Sequence, residues 1–360
     1  MSDMMPQAEI FEPQPAVRGV HMHPSETVLV GRRDRPALGL NSHSPILEGR
    51  GLTRRYTTDA GQTLTACREV DISLRQGRTL GIVGESGCGK STLLRLLAQL
   101  EQPDEGQLFF RNQDITRLKG EALRKNRRHI QMVFQDSNAA FFARMKAGEA
   151  ITESLTNLGK ISAKELREKQ AELLRLVQLP EDFADRYPHS MSGGQRQRLG
   201  IARAMALDPD ILVCDEATCA LDVSVQEKII GLLVDIQRQR ELSMIFVCHD
   251  LALVQSLSHQ VMVMYLGGVV ESLPGCEVLE QACHPYSQAL LNSIFAIDMD
   301  FDKPLPTLKG EVPSPLNPPK GCAFHARCPQ CLEHCRTERP AMRQIAPHHQ
   351  VACHLFEPEK

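Results

Sequence analysis

The sequence predicts an α/β protein: a mostly parallel sheet with an antiparallel β edge and an inserted helical subdomain, followed by a small C-terminal metal-binding module. Three observations lead there. The apolar runs ILVCD, SMIFVC and QVMVMYL alternate with helical stretches DVSVQEKIIGLLVDIQRQ and DLALVQSL, the pattern of βα units. Residues 145–188 have another texture, with Leu166, Leu173, Leu174 and Val177 at helical spacing among Lys, Glu and Arg. Cys322, Cys328, Cys331, Cys335 and Cys353 crowd the C-terminal end.

Taken in chain order, residues 1–45 are rich in Pro, His, Arg and Ser without apolar periodicity, and are expected to form a disordered extension. His21 and His23 are metal-ligand types, but two exposed histidines in a tail ordinarily bind nothing. From Ile46 short β-type runs follow (ILEGRGL, TACREVDISL, TLGIVG), then a helix from Lys90. The core is expected over residues 46–275, with the helical subdomain at about 140–190, and the C-terminal extension over 276–360. That extension opens on a helix-like HPYSQALLNSI, passes through a Pro-rich linker and ends in the cysteine module.

Bulk properties narrow the class. With 360 residues, 42% hydrophobic and 24% charged, the chain can bury one large core. Its net charge of −3 comes from 41 basic and 44 acidic residues, interspersed, which gives no basal attraction to nucleic acid. No run of about 18 apolar residues occurs, and the N-terminus lacks a signal peptide's basic and apolar regions, so a chain that stays in the cytoplasm and does not itself cross a bilayer is expected. Twelve cysteines in such a chain read as buried thiols plus a metal site, not as disulfides.

The chemistry is concentrated in one octet. Gly84-Glu85-Ser86-Gly87-Cys88-Gly89-Lys90-Ser91 fits G-x-x-x-x-G-K-[ST] between a predicted strand and a predicted helix. The glycines let backbone N–H groups turn inward, and the helix start adds about half a positive charge, so a phosphate chain is held largely by backbone. Gly84, Ser86, Gly87, Cys88, Gly89, Lys90, Ser91 and Thr92 are therefore the expected nucleotide-binding residues. Lys90 would reach the β and γ phosphates and Ser91 would ligate Mg²⁺. Downstream, the apolar strand ending in Asp215 and Glu216 offers a carboxylate for Mg²⁺ and another to orient a water.

Met191-Ser192-Gly193-Gly194-Gln195 opens the helix QRQRLGIARAMAL and resembles the LSGGQ signature of ABC ATPases. The resemblance implies a P-loop nucleoside triphosphatase with the ABC cassette fold. Two cassettes would pack head to tail, so that Ser192, Gly193, Gly194 and Gln195, with Asp222 of the D-loop, serve the partner's nucleotide. It further implies adenine stacking by Tyr56, a Q-loop Gln135 contacting Mg²⁺ beside Ser91 and Asp215, a switch histidine His249, and catalysis by Glu216, His249 and Lys90. DNA-repair and translation ATPases of this kind carry paired cassettes or a long coiled coil in one chain; this chain has one of each motif. P-loop kinases and GTPases lack the signature.

His284-Pro285-Tyr286, Pro313-Ser-Pro-Leu-Asn-Pro-Pro319 and the cysteine module resemble the C-terminal extension of oligopeptide and dipeptide importer ATPases, and GESGCGKSTLLRLL with LRKNRRHIQMVFQD resembles their F-type subunit. Implied partners are a D-type sister ATPase, two transmembrane permease subunits and an extracytoplasmic solute-binding protein. The implied place is the cytoplasmic face of a bacterial inner membrane. Dipeptides or oligopeptides are the implied cargo, with nickel, a metallophore or glutathione as alternatives. By residue type, Cys322, Cys328, Cys335 and Cys353 can enclose zinc or a [4Fe-4S] cluster; the resemblance favours the cluster. Cys331 is a fifth thiol, either free or an alternative ligand. The chain departs from the family's pattern at Ala217 and Cys219 in DEATCALD, at Cys248 before the switch histidine, and over QDSNAAFFARM, the segment expected to face the permease.

Overall fold

The computed structural model describes residues 44–135, 140–157, 162–217, 221–248, 251–292 and 310–357. The N-terminal extension with His21 and His23, the switch residue His249, Thr218 and Cys219, and Asp136 to Ala139 of the Q-loop segment lie outside them.

Strand β1 (Leu47–Thr57) pairs antiparallel with β2 (Thr63–Leu74), and β3 (Thr79–Val83) leads through the phosphate-loop octet into helix α1 (Lys90–Leu97). Next come β4 (Glu105–Phe110), β5 (Gln113–Asp114), α2 (Gly120–Arg127) and β6 (Ile130–Val133). The helical insertion supplies α3 (Ala147–Asn157) and α4 (Ala163–Leu176), and α5 (Gly193–Met205) returns the chain to the sheet at β7 (Ile211–Asp215). Helix α4 begins with a reciprocal cap in which Ser162 and Glu165 satisfy each other's backbone N–H. Then follow α6 (Val223–Arg240), β8 (Ser243–Val247), α7 (Leu251–Leu257), β9 (Gln260–Tyr265) and β10 (Gly268–Pro274). The C-terminal region adds α8 (Val278–Gln281), α9 (Pro285–Asn292), β11 (Arg343–Ala346) and β12 (His349–Val351).

The strands form two sheets. An antiparallel one runs β2-β1-β4-β5; the other has the order β11-β12-β10-β9-β3-β8-β7-β6. Its parallel part, β9-β3-β8-β7-β6, contains β3, β7 and β8, in which every residue is buried. Such continuous burial is what a strand covered on both faces requires, which is why these segments read as unbroken apolar runs. Core residues on one side include Leu93, Leu94 and Leu97 of α1 beneath the antiparallel sheet; on the other, the insertion's Leu173, Leu174 and Val177 join α5 and α6. Leu166, grouped with these in the sequence pattern, is half-buried.

Strands β1, β2, β4 and β5 form a separate antiparallel sheet, which the sequence-based expectation did not include. The mostly parallel sheet has the expected antiparallel edge, supplied by β10 and by the cysteine module, whose β12 pairs with β10 at Glu271↔Val351. These strands escape a pattern search because β11 is nearly all exposed and β12 has only three residues. Phe324, Tyr286, Cys322 and Cys335 share one core cluster with the insertion and the central strands. Among the described residues, no helix is long and apolar enough to cross a membrane.

Candidate nucleotide site

The parallel strands β3, β7 and β8 end together, and their carboxyl ends carry Gly84, Asp215 with Glu216, and Cys248 respectively. Crevices at such strand ends are where open α/β sheets bind ligands. The loop from Gly84 to Gly89 is shaped by glycines that nothing else can replace. Gly84 (φ 153°) and Gly89 (φ 105°) have backbone conformations that side chains disfavour, and a Cβ at either would strike a carbonyl, of Met264 or of Ala66. The β9–β10 hairpin turn, with Leu266 (φ 45°) and Gly267 (φ 81°), packs on the loop through a Gly267 N–H bond of 2.9 Å to the Cys88 carbonyl.

A cavity of about 350 Å³ opens in front of this loop. Tyr56, Ser86, Gly87, Gly89, Lys90, Ser91, Thr92, Gln135 and Glu216 all line it, joined by Leu64, Thr65, Ala66, Leu266, Gly267 and Pro315. Lys90 is buried, and its ammonium donates to the carbonyls of Gly84 at 2.8 Å and Glu85 at 3.0 Å, so the loop's own backbone aims the charge. The Ser91 hydroxyl donates to Asp215 Oδ1 at 3.3 Å. Burial holds the Asp215 carboxyl above its ordinary range, and the adjacent Glu216 charge adds to the effect. Gln135 Nε2 donates to Glu216 Oε2 at 2.7 Å, while Glu216 itself sits at φ 44°, a left-handed conformation that turns its side chain off the line of β7. This pair of oxygen-bearing residues beside a lysine and a hydroxyl is suited to hold a phosphate chain and a hard divalent cation. Tyr56 donates to Glu101 at 2.6 Å, with the Arg54 guanidinium 4.9 Å from its ring.

The signature residues lie elsewhere. Ser192, Gly193, Gly194 and Gln195 do not line the cavity; they open α5, where Ser192 and Gln195 cap each other's backbone, N–H to Oε1 at 2.9 Å in one direction and N–H to Oγ at 3.3 Å in the other. Asp222 caps α6 through the Val225 N–H at 2.9 Å, and that backbone bond holds its carboxyl below the ordinary range. Gly84 and Cys88 sit behind the lining residues, with Cys88 Sγ 3.9 Å from Lys90 Nζ.

The sequence pointed to none of the residues that support the loop from behind. Arg327, whose side chain is 4% exposed, donates from both terminal nitrogens to the Glu85 carboxylate at 2.8 and 3.0 Å. Its guanidinium pKa is raised above the ordinary value, first by that hydrogen-bonded carboxylate. The Glu85 N–H donates to the Tyr286 hydroxyl at 2.8 Å. Tyr265, Tyr286 and Phe324 form an aromatic wall at centroid distances of 4.6 and 5.3 Å, with Arg327 5.9 Å from two of the rings. The one legible signal was that HPY and FHAR lie inside a region with its own sequence texture.

In the cysteine module, the Cys322 and Cys353 thiols are pushed up to about 11, first by burial and further by neighbouring cysteines, and Cys328 and Cys335 are raised for the same first reason. The backbone joins Cys322 to Cys335 by an N–H to carbonyl bond of 2.8 Å. Among the described residues no three of these four sulfurs lie within 4.8 Å of one another. Cys335 instead has the ring nitrogens of His334 and His354 within 4.8 Å. A second group, Glu271, Cys283 and His349, is tied internally: the buried Glu271 carboxylate accepts from His349 Nε2 and the Cys283 N–H, both at 2.8 Å.

Fold and cavity together define a P-loop ATPase of the ABC cassette class. Comparisons agree. A model of the ABC transporter family matches residues 67–219, and one of the oligopeptide/dipeptide transporter C-terminal region matches residues 270–335. A probable peptide ABC transporter ATP-binding protein of Sinorhizobium fredii is 44% identical over 87% of this chain and 90% of its own. The oligopeptide transport ATP-binding protein AppF of Bacillus subtilis is 47% identical over 85% and 93%. A solved dimeric cassette, MJ0796 bound to ADP and Pi, is similar with a TM-score of 0.59 at 31% identity, over 63% of this chain and 98% of that one. The chain belongs to the ATP-binding subunits of ABC transporters of the peptide-importer family, and its activity is ATP hydrolysis.

Proposed function

We propose that this chain is the F-type motor of a dipeptide or oligopeptide importer, working on the cytoplasmic face of a bacterial inner membrane. It would pair with a D-type sister ATPase, dock two permease subunits and respond to an extracytoplasmic solute-binding protein. The observation that carries the reading is a cavity that gathers Lys90, Ser91, Gln135 and Glu216 in a chain whose residues 270–335 match the peptide-transporter C-terminal region.

Within that cavity the loop amides and Lys90 would bind the triphosphate, and Ser91, Asp215 and Gln135 are the oxygen donors suited to Mg²⁺. Bound Mg²⁺ supplies charge neutralisation of the phosphates. Glu216, released from Gln135, would orient the attacking water and take its proton. Tyr56 would cover the base, and His249 would complete the site from beyond β8. Ser192 and its neighbours face no phosphate in their own chain, so they would serve the nucleotide of the sister subunit, and the sister's signature would serve this one. Cys322, Cys328, Cys335 and Cys353 are four thiols of the kind that would hold an iron-sulfur cluster, which the resemblance to peptide-importer ATPases favours, with zinc as the alternative. When bound, such a cluster supplies a staple to a module with little regular structure.

The experiment is reconstitution with a peptide permease, a sister ATPase and a solute-binding protein from the same organism. Peptide-loaded binding protein should stimulate ATP hydrolysis and drive uptake; stimulation by nickel, a metallophore or glutathione with none by peptides would overturn the cargo assignment. Anaerobically purified protein should contain iron and sulfide, and a preparation with neither iron nor zinc would remove the metal.

A further inference from the structure

Glu85 is the most heavily tethered residue of the phosphate loop, and two of its tethers come from outside the cassette. Its carbonyl accepts from Lys90 Nζ at 3.0 Å and from the Cys88 N–H at 3.3 Å. Its N–H donates to Tyr286 on α9, and its carboxylate takes both arms of Arg327, which stands next to Cys328 in the cysteine module. Both outside partners lie within residues 270–335, beyond the matched ABC transporter region 67–219.

The physical consequence follows from burial. A guanidinium that is 4% exposed needs its carboxylate, since an unpaired buried charge is costly, so a docked module and a fixed Glu85 occur together. A glycine-rich loop has many conformations open to it and must lose them to present its amides to a phosphate. Fixing the Glu85 peptide on both sides removes part of that freedom before nucleotide arrives, and it also places one of the two carbonyls that aim Lys90. The fork of Arg327 supplies direction as well as charge, because two parallel bonds fix the carboxylate plane.

We propose that Arg327 is a positioning residue for ATP, through which the C-terminal module sets the phosphate loop from behind. Arg327 does not line the cavity; it acts through Glu85. The proposal rests on the reading of the cavity as the ATP site. Its effect falls on nucleotide binding and not on the water-activating side, where Gln135 donates to Glu216.

The test uses the assembled transporter. Arg327→Gln should raise KM for ATP roughly tenfold while kcat stays within about twofold, and Arg327→Lys, a point charge without the fork, should fall between. The exchange Glu85→Arg with Arg327→Glu should recover part of the lost affinity. In combination, Glu85→Gln and Arg327→Gln should cost little more than either alone. Melting temperature and metal content of each variant report on the module separately. An unchanged KM in Arg327→Gln, or KM penalties of the two single variants that simply multiply, would overturn the proposal; if Arg327→Gln does not assemble, Arg327→Lys decides by the same criterion. Lys90→Ala in the same complex separates the two levels: ATP binding that survives that change removes the cavity assignment itself.

Discussion

The phosphate loop and the cysteine module are both irregular segments held in one conformation, and they are held by opposite means. The loop is fixed by backbone: glycines with positive φ, amides and carbonyls of its own octet, and a hairpin turn laid against it. The module is fixed by side chains that reach far along the sequence. Phe324 is buried against Tyr265 and Tyr286, and the Arg327 guanidinium spans 242 positions to Glu85. A site whose binding groups are the backbone of one octet can be read from eight consecutive residues. A side-chain-made attachment depends on tertiary structure and leaves no local trace.

The two kinds of site should fail differently. The largest effect is expected where chemistry, not shape, is removed: Glu216→Gln keeps the loop intact and should retain ATP binding while turnover falls by about 10²–10⁴. Equilibrium nucleotide binding and single-turnover hydrolysis by the assembled complex measure the two separately, and wild-type turnover would exclude Glu216 as the base. Next in size, Gly89→Ala places a methyl against the Ala66 carbonyl at φ 105°. It should cost roughly 3 kcal/mol in the loop conformation and abolish nucleotide binding at working concentrations. The melting temperature should be nearly unchanged; a large drop along with the loss of ATP binding would show that the two regions are one unit.

A pH titration probes the seam between the regions. His284 is buried at the start of α9 and its Nδ1 accepts the Tyr286 N–H at 3.0 Å, so protonation there breaks a bond. Burial pushes its pKa down from 6.5 to about 4. The unfolded chain therefore takes up a proton first as pH falls, and stability is lost progressively from about pH 6.5 to about 4, a window worth roughly 3 kcal/mol. His284→Asn, which keeps an acceptor without a titrating ring, should flatten denaturant midpoints over that window. Equal slopes for both proteins would place the acid sensitivity elsewhere, with Glu271 the nearest candidate. Burial alone would raise that carboxyl, but hydrogen bonds led by the Cys283 amide hold it below its ordinary range.

This contrast also explains what the sequence disclosed. The sheet was legible because β3, β7 and β8 are buried on both faces and so consist of unbroken apolar residues. Of the cavity lining, Tyr56, Ser86, Gly87, Gly89, Lys90, Ser91, Thr92, Gln135 and Glu216 were named in advance, all but Tyr56 carried by a recognisable motif. Leu64, Thr65, Ala66 and Leu266 were not, since they contribute position and not chemistry. Pro315 was counted only as part of a Pro-rich segment, yet it lines the same cavity as Tyr56. That the antiparallel edge is built from β11 and β12 was not legible, since β11 is nearly all exposed and β12 has only three residues, among them the buried Val351 opposite Glu271.

The smallest expected effect is the most discriminating. Tyr286→Phe removes one hydroxyl and leaves the ring, so the contacts to Tyr265 at 4.6 Å and to Phe324 at 5.3 Å are retained and the module stays docked. What is lost is the acceptor for the Glu85 N–H, a bond worth about 1 kcal/mol or somewhat more where the donor is left without water. Held by Arg327 but not by Tyr286, the loop should bind ATP several-fold more weakly with kcat unchanged. The size of this step relative to Arg327→Gln apportions the support between a neutral backbone bond and a buried ion pair. Should Tyr286→Phe leave KM untouched while Arg327→Gln raises it, the module would act on the loop through the Glu85 carboxylate alone.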